Sequence, residues 1–283
     1  MRYLITGASG MLGRDLQAAL SDREVLAYAR SELDVTDIAA VRRAAEDVDV
    51  IINAAAYTKV DDAETNEVAA AMVNAVGAGN LAHVAAETGA ILIQVSTDYV
   101  FDGTATSPYP EDARTNPVSA YGRTKADGER RALDANPDGT FIVRSAWLYG
   151  QHGPNFVKTM LGLGLRRPEV SVVTDQIGQP TWTLDLAKQI ALLAESDAPA
   201  GIYHATASGQ ASWFEFAKAI FEFGGLDPQA VKPVDGSQFV RPAPRPAYSV
   251  LGHEAWAEVG LPPMRDWRLA LADAFATGAL GTE

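Results

Sequence analysis

No cysteine occurs among the 283 residues. Disulfides, thiolate catalysis and a cysteine-ligated zinc site are therefore excluded, and a reducing, cytoplasmic setting is the expectation. Positive charge is also short, with 23 lysines and arginines against 36 aspartates and glutamates and a formal net charge of −13. This argues against nucleic acid or an anionic membrane as partner, so any bound phosphate must be met by local features. Histidine is scarce: His83, His152, His204 and His253 stand without metal-ligand spacing, and no metal is expected. Long apolar runs are missing too, each broken by charge or glycine before the roughly 18 residues a membrane span needs. The chain opens on Met1-Arg2-Tyr3-Leu4-Ile5-Thr6, which reads as a strand and not as a signal peptide.

What is present suffices for a large core, since 47% of the residues are hydrophobic. Short apolar runs at Tyr3–Thr6, Val25–Ala29, Val50–Asn53, Ile91–Ser96 and Phe141–Arg144 alternate with alanine-rich segments of helical period. Parallel neighbours need crossover helices, so the pattern predicts an α/β fold: a doubly wound, Rossmann-like parallel sheet with a smaller C-terminal substrate lobe. Residues 1–150 read as the dinucleotide-binding domain. In 151–283 the character shifts to Pro154, Pro168, Pro180, a helix at Trp213–Phe223 and a proline-rich stretch at Arg241–Pro246, which reads as mainly the lobe. A strand near 202–205 is expected to return to the sheet.

The first strand runs into Gly7-Ala8-Ser9-Gly10-Met11-Leu12-Gly13, with a helix starting near Met11. Gly7 permits a tight turn, Gly10 close approach of backbone to a pyrophosphate, and Gly13 close packing of helix on strand. The helix N-terminus adds unpaired amides and a favourable dipole. After the second strand, where NAD enzymes place an acidic residue, stand Arg30 and Ser31. A guanidinium there suits the 2′-phosphate of NADP(H), while nearby Glu32 keeps NAD(H) use open. Asp34, beside Val35, is placed to meet the adenine, and the small residues Ala54, Ala55 and Ala56 to line the cofactor.

Tyr121-Gly122-Arg123-Thr124-Lys125 sets a phenol and an amine on one face of a helix start. An ammonium about 4 Å away contributes ~4 kcal/mol at an effective dielectric of 20, lowering a phenol by up to ~3 pKa units before desolvation subtracts. The strand ending in Ser96-Thr97-Asp98 would bring a hydroxyl to the same crevice, and alternation alone does not choose between Ser96 and Thr97.

Together GASGMLG at 7–13, NAAA at 53–56, STDYVFDG at 96–103, YGRTK at 121–125 and DQIGQPT at 175–181 resemble the extended short-chain dehydrogenase/reductases over nearly the whole chain. Within them the chain is most similar to the dTDP-4-dehydrorhamnose reductase branch. The resemblance implies an NADPH-dependent reductase of the 4-keto group of a dTDP-4-keto-6-deoxy sugar. Thr97, Tyr121 and Lys125 match its catalytic hydroxyl, proton donor and ribose-holding lysine, and Asp98 matches a residue near the sugar. Related dehydratases carry an Asp-Glu pair after the threonine; here Tyr99 follows Asp98, so elimination lacks one acid-base group. A sister reductase of antibiotic deoxysugar or streptose pathways would share these residues. The regulatory subunit of eukaryotic methionine adenosyltransferase resembles the same branch, so a non-catalytic NADP-binding subunit stays open, as does a homodimer.

For the substrate, Arg245, held between Pro244 and Pro246, is the first candidate for the diphosphate. Tyr99 belongs to the same crevice, Trp147 either stacks on the ligand or fills the core, and Asn155, Phe156 and Gln179 are expected as walls. Trp213, Phe214, Phe216, Phe221 and Phe223 at helical spacing read as core. Asp15 falls where some relatives have a metal-bridging glutamate; aspartate is shorter, and no metal is expected there.

Overall fold

The computed structural model describes residues 1–280, so the last three residues of the expected lobe lie outside the described residues. Strands β1 (Arg2–Thr6), β2 (Glu24–Tyr28), β3 (Val50–Asn53), β4 (Ile91–Thr97), β5 (Thr140–Ser145) and β6 (Gly201–His204) form one sheet in the order β2-β1-β3-β4-β5-β6. Every neighbouring pair is parallel. Because strand side chains alternate in direction, each strand feeds two cores. Tyr3, Ile5, Val50, Ile52, Ile93 and Val143 pack under helices α1 (Met11–Ala19) and Thr183–Ala194. Leu4, Ile51, Leu92 and Ile142 face the other way, toward α2 (Ile38–Ala44), α3 (Glu67–Thr88) and α4 (Ala120–Ala135). The doubly wound sheet expected from the alternation is thus the one that forms.

The chain runs from β1 out to β2 and then back across β1 to β3, so the order reverses between β1 and β3. That reversal opens a crevice at the carboxyl ends of the strands, the place where ligands enter such sheets. Helix α3 is long and apolar enough, by length and composition, to cross a membrane, although Asn74 and Gly77 break its apolar run. In the structure Leu81, Ala82, Val84 and Ala85 of α3 are buried in the core facing the sheet, which makes it a core helix.

The lobe has its own core, built from Tyr149, Val157, Leu161, Phe216, Ile220 and Trp267. Its helix Trp213–Phe223 starts on a capping box, with Ser212 and Glu215 satisfying each other's backbone amides. Phe216 and Phe221 are buried in this core, and Trp213, Phe214 and Phe223 pack against it.

Candidate active site

At the crevice, Gly7 has φ +70°, and a Cβ there would lie 2.7 Å from the backbone of Ala54. A Cβ on Gly13 would lie 2.2 Å from the Gly7 carbonyl oxygen, so only glycine lets α1 start this close to the turn. Gly10 is the N-cap of α1 and offers no side-chain cap, and Ser9 and Gly10 are exposed. The first amides of the helix therefore have no side-chain cap, and with the exposed turn before them they make a cradle that fits a pyrophosphate. Met11 is half-buried and Leu12 packs into the core beneath.

Strand ends around the cradle are cross-tied. Asn53 accepts from the Thr6 hydroxyl at 2.6 Å and from Ala55 N–H at 3.1 Å, and donates to Gln94 Oε1 at 2.7 Å. This holds β1, β3 and β4 in register where Ala54, Ala55 and Ala56 remain partly exposed. Arg30 and Ser31 are exposed just beyond β2, whose Tyr28 carbonyl accepts from Ala8 N–H in the glycine turn at 3.0 Å. Glu32 folds back to accept from Ala29 N–H at 2.8 Å. Asp34 accepts from the amide and hydroxyl of Thr36, and those bonds hold its carboxyl below the usual range. Val35 is buried against Gly77.

Packing gives Ser96 and Thr97 different neighbours. Ser96 donates to the buried Glu129, which also pairs with Arg144 at 2.8 Å. Thr97 instead faces the Tyr121 phenol and donates to Asp98 Oδ1 at 3.0 Å. Asp98 is buried, its Oδ2 has no partner among the described residues, and burial pushes its carboxyl up to about 6 against hydrogen bonds from Ser249 and Thr97. Tyr99 meets Tyr121 edge-on, ring centroids 5.7 Å apart.

Lys125 shares the helix face with Tyr121, but its ammonium donates to the Val95 carbonyl at 2.6 Å. Burial pulls Lys125 down to about 8, with Glu129 pushing it back up. At Tyr121 burial dominates and pushes the phenol up to about 12, opposed by the Thr97 hydroxyl. A donor at that value stays protonated at neutral pH.

On the lobe side, the Arg245 guanidinium donates to Asp61 Oδ1 at 2.9 Å and to the Ala243 carbonyl at 3.2 Å, and lies 5.9 Å from the Tyr99 ring centroid. Arg241 and Arg245 line a cavity of about 320 Å³ with Gln176 and Phe239. Trp147 has φ +46° and stacks on Trp213 at 3.6 Å, half-buried over Gly178, where a Cβ would strike its ring. Two expected walls are otherwise engaged. Asn155 caps helix Phe156–Gly164 and donates to the Gly150 carbonyl, because its neighbours begin that helix. Gln179 accepts from Leu251 N–H and donates to the Leu251 carbonyl, tying two loops of the lobe. Phe156 packs on Trp213. Asp15 turns inward to the Thr183 hydroxyl, joining α1 to the helix Thr183–Ala194.

Asp61 and the Glu129–Arg144 pair were not among the residues the sequence singled out, and the cross-tying role of Asn53 was not either. Glu129 was within reach, one turn beyond Lys125 on the same helix face; Asp61 gives no local signal because its partners lie about 180 residues away.

A family model described as the RmlD substrate binding domain matches residues 1–279. The chain is 48% identical to the dTDP-4-keto-6-deoxy-D-glucose reductase of Streptomyces niveus, covering 97% of this chain and 96% of that protein. It is also 48% identical to the dTDP-4-dehydrorhamnose reductase of Streptomyces griseus, over 97% and 93%. Among solved structures, the dTDP-4-dehydrorhamnose reductase of Bacillus anthracis in complex with NADP superposes with a TM-score of 0.94 at 40% identity, covering 98% of this chain and 99% of that one.

Proposed function

The chain belongs to the RmlD substrate binding domain family, and on that premise we propose that it reduces the 4-keto group of a dTDP-4-keto-6-deoxy sugar with NADPH. The cofactor, when bound, supplies the hydride that reaches the keto carbon. Gly7, Gly10, Gly13 and the open N-terminus of α1 hold its pyrophosphate, Arg30 and Ser31 its 2′-phosphate, and Lys125 its nicotinamide ribose. Asp34, Val35 and Ala54–Ala56 line the adenosine side.

Tyr121 gives its phenolic proton to the oxygen that develops negative charge, and the Thr97 hydroxyl, which in this structure donates to Asp98 Oδ1, turns to donate a hydrogen bond to the same oxygen. Asp98, whose carboxyl burial pushes up to about 6, adjoins Thr97 and positions the sugar. Arg245 meets the diphosphate, with Tyr99, Trp147 and Phe156 along the path. The observation that carries the reading is the convergence of Thr97 and Tyr121 at the carboxyl end of β4, with Lys125 on the same helix face as Tyr121. Incubation with NADPH and a dTDP-4-keto-6-deoxy sugar, followed by loss of NADPH absorbance and identification of the product, tests it. No turnover with any such sugar, while NADPH binds, would leave a non-catalytic NADP-binding protein instead. The particular sugar and the configuration at the new alcohol are read from the product.

A further inference from the structure

Asp61 has no role in the reading so far, yet it is where the two halves of the site meet. It lies in the turn Val60–Ala63, a few residues past the small side chains that follow β3. Its Oδ1 accepts from Arg245 Nη2 at 2.9 Å and from Ala243 N–H at 3.2 Å, and its Oδ2 lies 3.7 Å from Arg241 Nη1. Three cationic or polar donors of one proline-rich loop thus converge on one carboxylate from the other side of the crevice. Ala63 of the same turn packs in the small cluster that includes the Tyr121 ring, so Asp61 is tied to the reacting end as well.

We propose that Asp61 is a positioning residue for the nucleotide-sugar site, acting through Arg245. The inference rests on the assignment of Arg245 to the substrate diphosphate. A free arginine side chain samples many rotamers, and ordering it when ligand arrives lowers affinity. Here the order is built in. Arg245 spends one Nη1 and one Nη2 hydrogen on Ala243 and Asp61, which leaves Nε–H and the remaining Nη hydrogens for an incoming oxyanion. Its backbone is pinned as well, since Pro246 packs so close to Gly103 that a Cβ there would lie 2.4 Å away. The Arg245 guanidinium is held over Tyr99, whose ring is the edge-on neighbour of Tyr121. Two arginines share the Asp61 carboxylate, so Asp61 alone does not neutralise both cations, while Asp175, which lines the same cavity, is held by the Gly236 N–H.

The alternative is that Asp61 competes with the diphosphate for Arg245. The two differ in sign. If Asp61 positions Arg245, Asp61→Asn weakens dTDP binding about tenfold, raises KM for the nucleotide sugar by a similar factor with a smaller effect on kcat, and leaves NADPH affinity as it was. If Asp61 competes, the same variant binds dTDP more tightly, and the proposal is overturned.

A merely structural role is separated by a double-mutant cycle read by calorimetric titration of dTDP into wild type, Asp61→Asn, Arg245→Ala and the double variant. Acting through Arg245, Asp61→Asn costs nothing further in the Arg245→Ala background, and Asp61→Glu recovers part of the loss. A full additional loss in that background would show that Asp61 merely braces the loop through Ala243 and would overturn the proposal. Should wild type bind no dTDP, or Arg245→Ala leave binding unchanged, the diphosphate assignment itself falls. Should Arg245→Ala weaken binding while Asp61→Asn does not, only the role of Asp61 falls.

Discussion

Replacing Lys125 by methionine should make the protein more stable at neutral pH while removing its activity. The ammonium is buried, and its pKa lies at about 8 where an exposed lysine has 10.5. At about 1.4 kcal/mol per pH unit, that gap corresponds to about 3 kcal/mol charged against the native state. Methionine keeps an unbranched side chain and removes the charge. The Val95 carbonyl that loses the ammonium still accepts from Gln94 Nε2 at 2.8 Å, and Glu129 keeps Arg144, so neither is left unpaired.

A net gain of about 1–3 kcal/mol is expected, or roughly 2–6 °C in Tm for a chain of this size. Linkage sets its pH dependence. The folded pKa lies below the unfolded one, so the penalty is fully present below about 8, fades as pH rises toward 10.5, and is absent above. Thermal unfolding followed by calorimetry, without added nucleotide, should show the variant ahead at pH 7 and the difference largely gone at pH 10. A variant less stable than wild type at pH 7, or a difference that does not change with pH, would refute the reasoning.

Tyr121→Phe keeps the ring and removes the donor, so turnover should fall roughly 10²-fold or more with NADPH affinity little changed; near-normal turnover would take the phenol out of the mechanism. Thr97→Val should lower turnover, whereas Ser96→Ala, whose hydroxyl serves the buried Glu129, should lower Tm more than turnover; steady-state rates and melting curves on the pair would reveal the reverse assignment. Arg30→Ala should weaken NADPH roughly ten- to a hundredfold and NADH far less, because only the former carries the 2′-phosphate; fluorescence titration with both cofactors checks this, and equal losses would reassign the residue.

Local chemistry was legible in the sequence: the alternation of apolar runs that demands crossover helices, the GASGMLG turn at 7–13, the Tyr121–Lys125 spacing, and the lack of cysteine and basic charge. Each depends on periodicity or on neighbours within a turn or two, where side-chain direction follows from backbone geometry alone. Whatever depended on distant partners was decided only by the tertiary structure. Ser96 and Thr97 look equivalent along the chain, and packing against Glu129 on α4 separates them. Spacing put an ammonium and a phenol on one helix face, but desolvation depends on everything packed around a group, and burial pushes this phenol up and pulls this amine down. Asn155 and Gln179, which read as walls of a site, are used to cap a helix and tie a loop, because a buried amide must satisfy its hydrogen bonds with whatever the fold brings to it. Asp61 shows the limit most clearly: nothing in Val60–Ala63 announces a role until the fold carries Arg245 to it across the crevice.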